Sequence, residues 1–340
     1  MKAYVLNKIG HPLEEVEMPV PHPSDSEVLI KVKAAGICGS DLHVIKGSRS
    51  VRLPIILGHE CAGVVEEIGS NVKDVNVGER VSLWYTIPCN VCDTCLRGMH
   101  NACPNRRSIG GDVNGCYAEY VVAPSSNVLK LPPEVSFEIA AIIGCSVSTA
   151  FHAVRIASIE LGDDIVIYGL GGVGLHVAML SKMMGAKTII GIDLNPNKEK
   201  MAKDFGVDYF LNPNDTDVKK EILYLTNLNG ADKIFECVGS PESLSMMTQI
   251  VKPAGKIIFV GLNMASTTFE PFPLLYKEAK ILFSVNHTLE EQKRLINLAK
   301  RGLIDLSNSI TYKMPLHKIN EALHLLQTQK TNIVKIVLLP

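Results

Sequence analysis

The chain of 340 residues lacks an excess of charge of either sign, with 34 Lys and Arg against 35 Asp and Glu and a formal net charge of −1. That balance gives no footing for nucleic acid or for an acidic membrane surface as a partner. Long apolar runs are missing as well. The opening segment "MKAYVLNKIG" has no apolar core of the kind a secretory signal needs. No segment reads as the ~20 apolar residues of a membrane span. Internal repeats and low-complexity tracts are absent. These absences predict a cytoplasmic protein with neither membrane nor nucleic-acid partners, and the length predicts about two domains.

Cysteine is not scarce. There are nine, and an odd count without an export signal argues against a disulfide framework. Five of them lie between Cys89 and Cys116. "CNVCDTCLRGMHNAC" places Cys89, Cys92, Cys95 and Cys103 on one short loop. Four thiolates so spaced can wrap one Zn²⁺ tetrahedrally with no open position, which makes a structural site.

The texture of the chain changes once. Up to about residue 145 it reads as β-rich, with "EVLIKVKAAGI", "CAGVVEEIG" and "CYAEYVVAP" as strands and prolines as turn punctuation. From about residue 147 short apolar strands alternate with helical patterns, which predicts a parallel sheet covered on both faces. Two amphipathic helices and a strand, "NIVKIVLLP", close the chain.

Within the second region "IVIYGLGGVGLHVAML" carries Gly169-x-Gly171-x-x-Gly174 between a strand and a helix, with Gly172 and Val173 completing the loop. In that context the motif reads as a dinucleotide loop: a tight turn, a bare backbone for the pyrophosphate, and close helix–strand packing. Asp193 ends the next strand nineteen residues after Gly174. A carboxylate there accepts ribose hydroxyls and repels a 2′-phosphate, so NAD is expected over NADP, with Lys198 along the adenosine.

A catalytic zinc needs three protein ligands and one open position. Cys38 in "GICGSDLH", His59 in "LGHE" and Cys145 in "IIGCSVSTA" are candidate donors. Spacing alone does not bring them together, and an isolated His or Cys is more often a core residue.

The motifs "GICGSDLH", "GHE", the four-cysteine loop, "GCSVSTA" and "GLGGVG" resemble, in order and interval over essentially the whole chain, those of the zinc-dependent medium-chain alcohol dehydrogenases. The resemblance implies a GroES-like β-rich catalytic domain over 1–146 and 285–340. It implies a Rossmann domain, a doubly wound parallel sheet, over 147–284, with the active site in the cleft between them. It assigns Cys38, His59 and Cys145 to a catalytic zinc, the Cys₂His set known for alcohol dehydrogenase. The four-cysteine loop takes a second, structural zinc. Glu60 becomes a carboxylate able to approach the metal, and Asp41 the group that orients His59. Ser40 becomes the hydroxyl that binds the substrate, and His43 the outer end of a proton relay. Leu57, Tyr85 and Tyr117 fall where such enzymes line the substrate cleft. The implied reaction is reversible oxidation of a primary or secondary alcohol to an aldehyde or ketone, with hydride transfer to NAD⁺. The implied assembly is a homodimer or homotetramer.

Two positions depart from the family pattern, and a third separates its branches. Gly39 stands where many members carry Arg or His against the pyrophosphate. Lys335 stands where Arg often serves the same phosphates, and is expected to keep that contact as a point charge. Cys145 stands where polyol and threonine dehydrogenases usually have a carboxylate, which favours a simple alcohol over those substrates. A catalytically silent NAD-binding protein is the other alternative; such members typically lose the zinc ligands that this chain keeps.

Overall fold

The structure, a computed structural model, describes residues 1–239, 241–261, 271–328 and 332–340. The chain divides into two compact units, Met1–Ser148 with His287–Pro340, and Thr149–Asn286.

The first unit is built on the strand Glu27–Gly36, whose aliphatic residues are buried along most of its length. It pairs antiparallel with Glu60–Ile68 on one side and with Tyr120–Pro124 and Ile336–Leu339 on the other. Register sets Gly36 opposite both Glu60 and Val337. Three distant parts of the chain are thereby brought side by side. Arg80–Leu83 and Val128–Lys130 extend the sheet beyond Glu60–Ile68, and Tyr312–Pro315 extends it beyond Ile336–Leu339. A small sheet of Glu14–Glu17, Lys2–Leu6 and Ile55–Ile56 packs into the same core. A hairpin of Thr86–Ile87 with Arg107–Ser108 brackets the four-cysteine loop.

After the strand Val128–Lys130 comes a helix that the β-rich reading missed. Phe137–Ile142, a π-helical turn Ile143–Val147 and Ser148–Ala157 form one rod of 21 residues. Ser136 caps it by accepting Ile139 N–H at 3.3 Å. The Ser148 hydroxyl donates to the Ile143 carbonyl at 2.6 Å, inside the widened turn. The rod is long and apolar enough to cross a membrane by length and composition, which corrects the expectation that no segment reaches that size. With 72% of the apolar window buried inside the protein, it is packed as a core helix.

The second unit holds a six-stranded, all-parallel sheet in the order Tyr209–Leu211, Thr188–Ile192, Asp164–Tyr168, Ala231–Glu236, Val251–Phe259, Lys280–Phe283. This is the doubly wound Rossmann order, with the first strand central and the chain reversing direction beside it. Asp164–Tyr168 and Thr188–Ile192 are buried along their whole length, as strands covered on both faces must be. The helix Gly172–Met183 follows the central strand directly.

Candidate active site and metal centres

Cys38, His59, Glu60 and Cys145 come from three different local settings and converge. Each offers a ligand atom, and all four atoms lie within 4.8 Å of one another. Cys38 is the N-cap of the helix Gly39–Ile45. His59 and Glu60 sit where the chain enters the strand Glu60–Ile68. Cys145 projects from the π-helical turn, an irregularity found frequently at functional sites. The Cys38 and Cys145 sulfurs are 4.0 Å apart. That is far beyond a disulfide bond of about 2.05 Å, and close to the ~3.8 Å edge of a tetrahedron built on 2.3 Å zinc–sulfur bonds. Two thiols and an imidazole in a buried pocket are the donor set zinc prefers, so the residues fit the metal.

The electrostatics point the same way. The Cys145 thiol hydrogen-bonds Cys38 and holds it well below its ordinary range against burial, with His59 helping. Cys145 is itself pushed up by that bond and by burial. Burial pulls His59 down, but Asp41 and Cys38 more than offset it and leave the imidazole raised to about 10. Burial raises Glu60 to about 7, with Lys335 opposing. A divalent cation bound here would displace the protons held by Cys145 and His59 and take a thiolate and a neutral imidazole as ligands.

Supporting contacts orient the donors. Asp41, 2% exposed, caps its helix by accepting Cys38 N–H at 3.0 Å. Its other oxygen lies 3.4 Å from His59 Nδ1, which leaves Nε2 as the free donor. Tyr117 OH donates to Asp41 at 2.6 Å. Gly36 makes room for Glu60, because a Cβ there would lie 2.0 Å from Glu60 Oε2. That oxygen is buried and has no hydrogen-bond partner.

Several expectations are corrected here. Lys335 does not offer its charge to a pyrophosphate. Its ammonium, 4% exposed, donates to the Ile37 carbonyl at 2.6 Å and to Glu60 Oε1 at 2.5 Å. The strand Ile336–Leu339 alongside Gly36 carries it inward. Tyr117 and Leu57 are fully buried core residues and line no open cleft. Only Tyr85 of the three flanks the cluster, its ring edge-on to that of His59 at 4.8 Å. Ser40 and His43, three apart and half-buried on the helix Gly39–Ile45, share one face of it. Neither side chain has a hydrogen-bond partner among the described residues.

The second cluster is Cys89, Cys92, Cys95 and Cys103, again with all four sulfurs within 4.8 Å. Cys103 lies 3.6 Å from Cys89 and 3.8 Å from Cys92. Backbone N–H groups of Val91 and Cys92 lower Cys89 to about 6, while burial and the other thiols raise Cys95 to about 12. Four sulfurs at tetrahedral separations suit one closed zinc site.

In the second unit Gly169 has φ +86°, and a Cβ on Gly174 would fall 1.9 Å from the Gly169 carbonyl. The turn and the helix-on-strand contact therefore both require glycine. Gly171, the N-cap, is exposed with open space where a Cβ would be, and Gly172 and Val173 begin the helix. Asp193 accepts Leu170 N–H at 2.9 Å and Asn195 N–H at 2.9 Å, so the acid is tied to the glycine loop. Lys198 is held on Asp193 at 2.8 Å rather than left open for an adenosine.

Comparison with known proteins agrees with this architecture. Residues 24–133 match the family model described as Alcohol dehydrogenase GroES-like domain. Residues 172–301 match the one described as Zinc-binding dehydrogenase. The chain is 34% identical to L-threonine 3-dehydrogenase of Pyrococcus horikoshii, over 99% of both chains. It is 32% identical to an alcohol dehydrogenase of Geobacillus stearothermophilus, over 94% of each. An alcohol dehydrogenase of E. coli CFT073, solved with NADH, superposes with a TM-score of 0.94 at 27% identity, covering 100% of this chain and 99% of the other. The fold and the converging donors define a nicotinamide-dependent oxidoreductase of the alcohol dehydrogenase type. The chain belongs to the zinc-binding, medium-chain dehydrogenase family.

Proposed function

We propose that the protein oxidises a primary or secondary alcohol to an aldehyde or ketone with NAD⁺ as hydride acceptor, and runs in reverse when the carbonyl is in excess. The convergence of Cys38, His59 and Cys145 in one buried pocket carries this reading. These three hold the catalytic zinc, and the four-cysteine loop holds a second, structural one. When bound, the catalytic zinc supplies Lewis acidity toward the hydroxyl oxygen, and NAD⁺ supplies the hydride acceptor.

The chain's own residues do the rest. Asp41 fixes the His59 tautomer. Ser40 accepts the hydroxyl proton of the substrate and passes it toward His43, its neighbour on the helix face. Tyr85 walls the pocket with an apolar ring. Asp193, at the end of its strand and bonded to the glycine loop, disfavours a 2′-phosphate and supports NAD over NADP. A threonine or polyol substrate is the second reading, supported by the similarity to L-threonine 3-dehydrogenase. Cys145 in place of a carboxylate weighs against it.

The test is NADH absorbance over primary, secondary and polyhydroxy alcohols, with zinc measured on the same sample. Turnover with NAD⁺ and two zinc ions per chain is the expected result. A zinc-replete sample that oxidises none of them would leave a silent nucleotide-binding protein in its place.

A further inference from the structure

The loop after the helix Gly39–Ile45 reads "KGSRSVR" and carries Lys46, Arg49 and Arg52. All three are exposed, and none forms an ion pair among the described residues. Arg49 differs from the others in being held. Its N–H donates to the His43 carbonyl at 3.2 Å. Its Nη2 donates to Ser108 Oγ at 3.3 Å. Ser108 stands opposite Thr86 in the hairpin, and the next residue, Ile109, donates its N–H to the Tyr85 carbonyl at 2.9 Å. The guanidinium is thus seated one ladder position from Tyr85, whose ring touches the His59 imidazole.

The seat is kept clear. A Cβ on Gly111 would lie 2.5 Å from Ser108 Oγ and 3.2 Å from Arg49 Nη2. Asp112 forms no direct ion pair with Arg49 among the described residues; its Oδ2 accepts both Ser108 N–H and Ser108 Oγ–H, one hydroxyl away from the guanidinium. A guanidinium pinned at one nitrogen presents the rest of its planar fork to a carboxylate or phosphate.

We propose that Arg49 is a specificity residue. The alcohol oxidised at this centre carries an anionic group, carboxylate or phosphate, remote from the reacting hydroxyl, and Arg49 receives it. This rests on the dehydrogenase reading above and names its substrate class.

The test compares kcat/KM for polyols against their monophosphates, and for hydroxy acids against their amides, in wild type, Arg49→Gln and Arg49→Lys. The anionic member of at least one pair should be preferred by about tenfold in wild type, chiefly through KM. Arg49→Gln should erase most of that ratio, and Arg49→Lys should keep part of it. Whichever pair responds distinguishes phosphate from carboxylate. A ratio near one in wild type, or an unchanged ratio in Arg49→Gln, overturns the proposal. Should no alcohol be oxidised, the dehydrogenase reading itself fails, and calorimetric titration of the zinc-loaded protein with inorganic phosphate decides the anion seat. Binding that weakens about tenfold in Arg49→Gln supports it; equal affinity in both proteins rejects it.

Discussion

The Tyr117 hydroxyl donates to Asp41 Oδ2 at 2.6 Å, and Asp41 Oδ1 faces His59 Nδ1 at 3.4 Å. A phenol with no solvent exposure therefore sets the imidazole through a carboxylate. Hydrogen bonds to buried charged groups are worth about 1.5–3 kcal/mol. Loss of such support typically costs 10–100-fold in metal affinity. Tyr117→Phe should keep the fold, lose about 2 kcal/mol of stability, and release zinc more readily from the Cys38 centre. Urea denaturation and a chelator-competition titration measure the two effects; full metal affinity in the variant would remove Tyr117 from the chain of support.

Lys335 and Glu60 form a buried ion pair between residues 275 positions apart. Breaking such a pair from one side leaves a bare charge in the core, at about 3–5 kcal/mol. Lys335→Met should be strongly destabilising, and the double variant Lys335→Met, Glu60→Gln should recover much of the loss. A double-mutant cycle by denaturation checks it, and additive losses would show that the two side chains act independently.

The two cysteine clusters should separate in their effects. Cys38→Ser should abolish turnover while leaving the unfolding transition close to that of wild type and removing one zinc. Cys95→Ser should also remove one zinc, but lower the melting temperature and retain turnover per folded molecule. Calorimetry, metal analysis and an initial-rate assay on both proteins decide the matter. Equal loss of folding in the two would argue against distinct roles.

Asp193 accepts two backbone N–H bonds and the Lys198 ammonium. Removing the carboxylate to Ala would disturb the glycine loop as well as the cofactor. Asn keeps one acceptor oxygen and drops the charge, so Asp193→Asn isolates the electrostatic part. It should weaken NAD⁺ and narrow the NAD⁺/NADP⁺ ratio of kcat/KM. An unchanged ratio would discredit Asp193 as the discriminating group.

Much of this was legible in the sequence where chemistry depends on local spacing. Cys89 to Cys103 lie on one loop, and Gly169 to Gly174 lie on one turn, so their patterns survive without tertiary information. The parallel sheet announced itself through alternating strands and helices. What escaped depends on long-range packing. Cys145 sits on a helix whose Gly144, Ser146 and β-branched residues weaken the helical signal, and burial of the rod overrides them. Tyr117 and Leu57 were placed in the cleft by the family resemblance, and nothing local tells a core side chain from a lining one. Lys335 was expected at the pyrophosphate because the family resemblance places a cation there, and its buried acceptor is made by a strand pairing that no local pattern encodes.

The counter-charge for Glu60 arrives late. A nascent chain that has already produced Cys38, His59, Glu60 and Cys145 possesses every donor, yet its interior carboxylate still lacks the ammonium that pairs with it. Only when the strand Ile336–Leu339 docks beside Gly36 does Lys335 reach that carboxylate. Maturation of the centre is therefore tied to synthesis and docking of the strand Ile336–Leu339, and variants that delay docking of that strand should slow metal loading more than they slow folding of the Thr149–Asn286 unit.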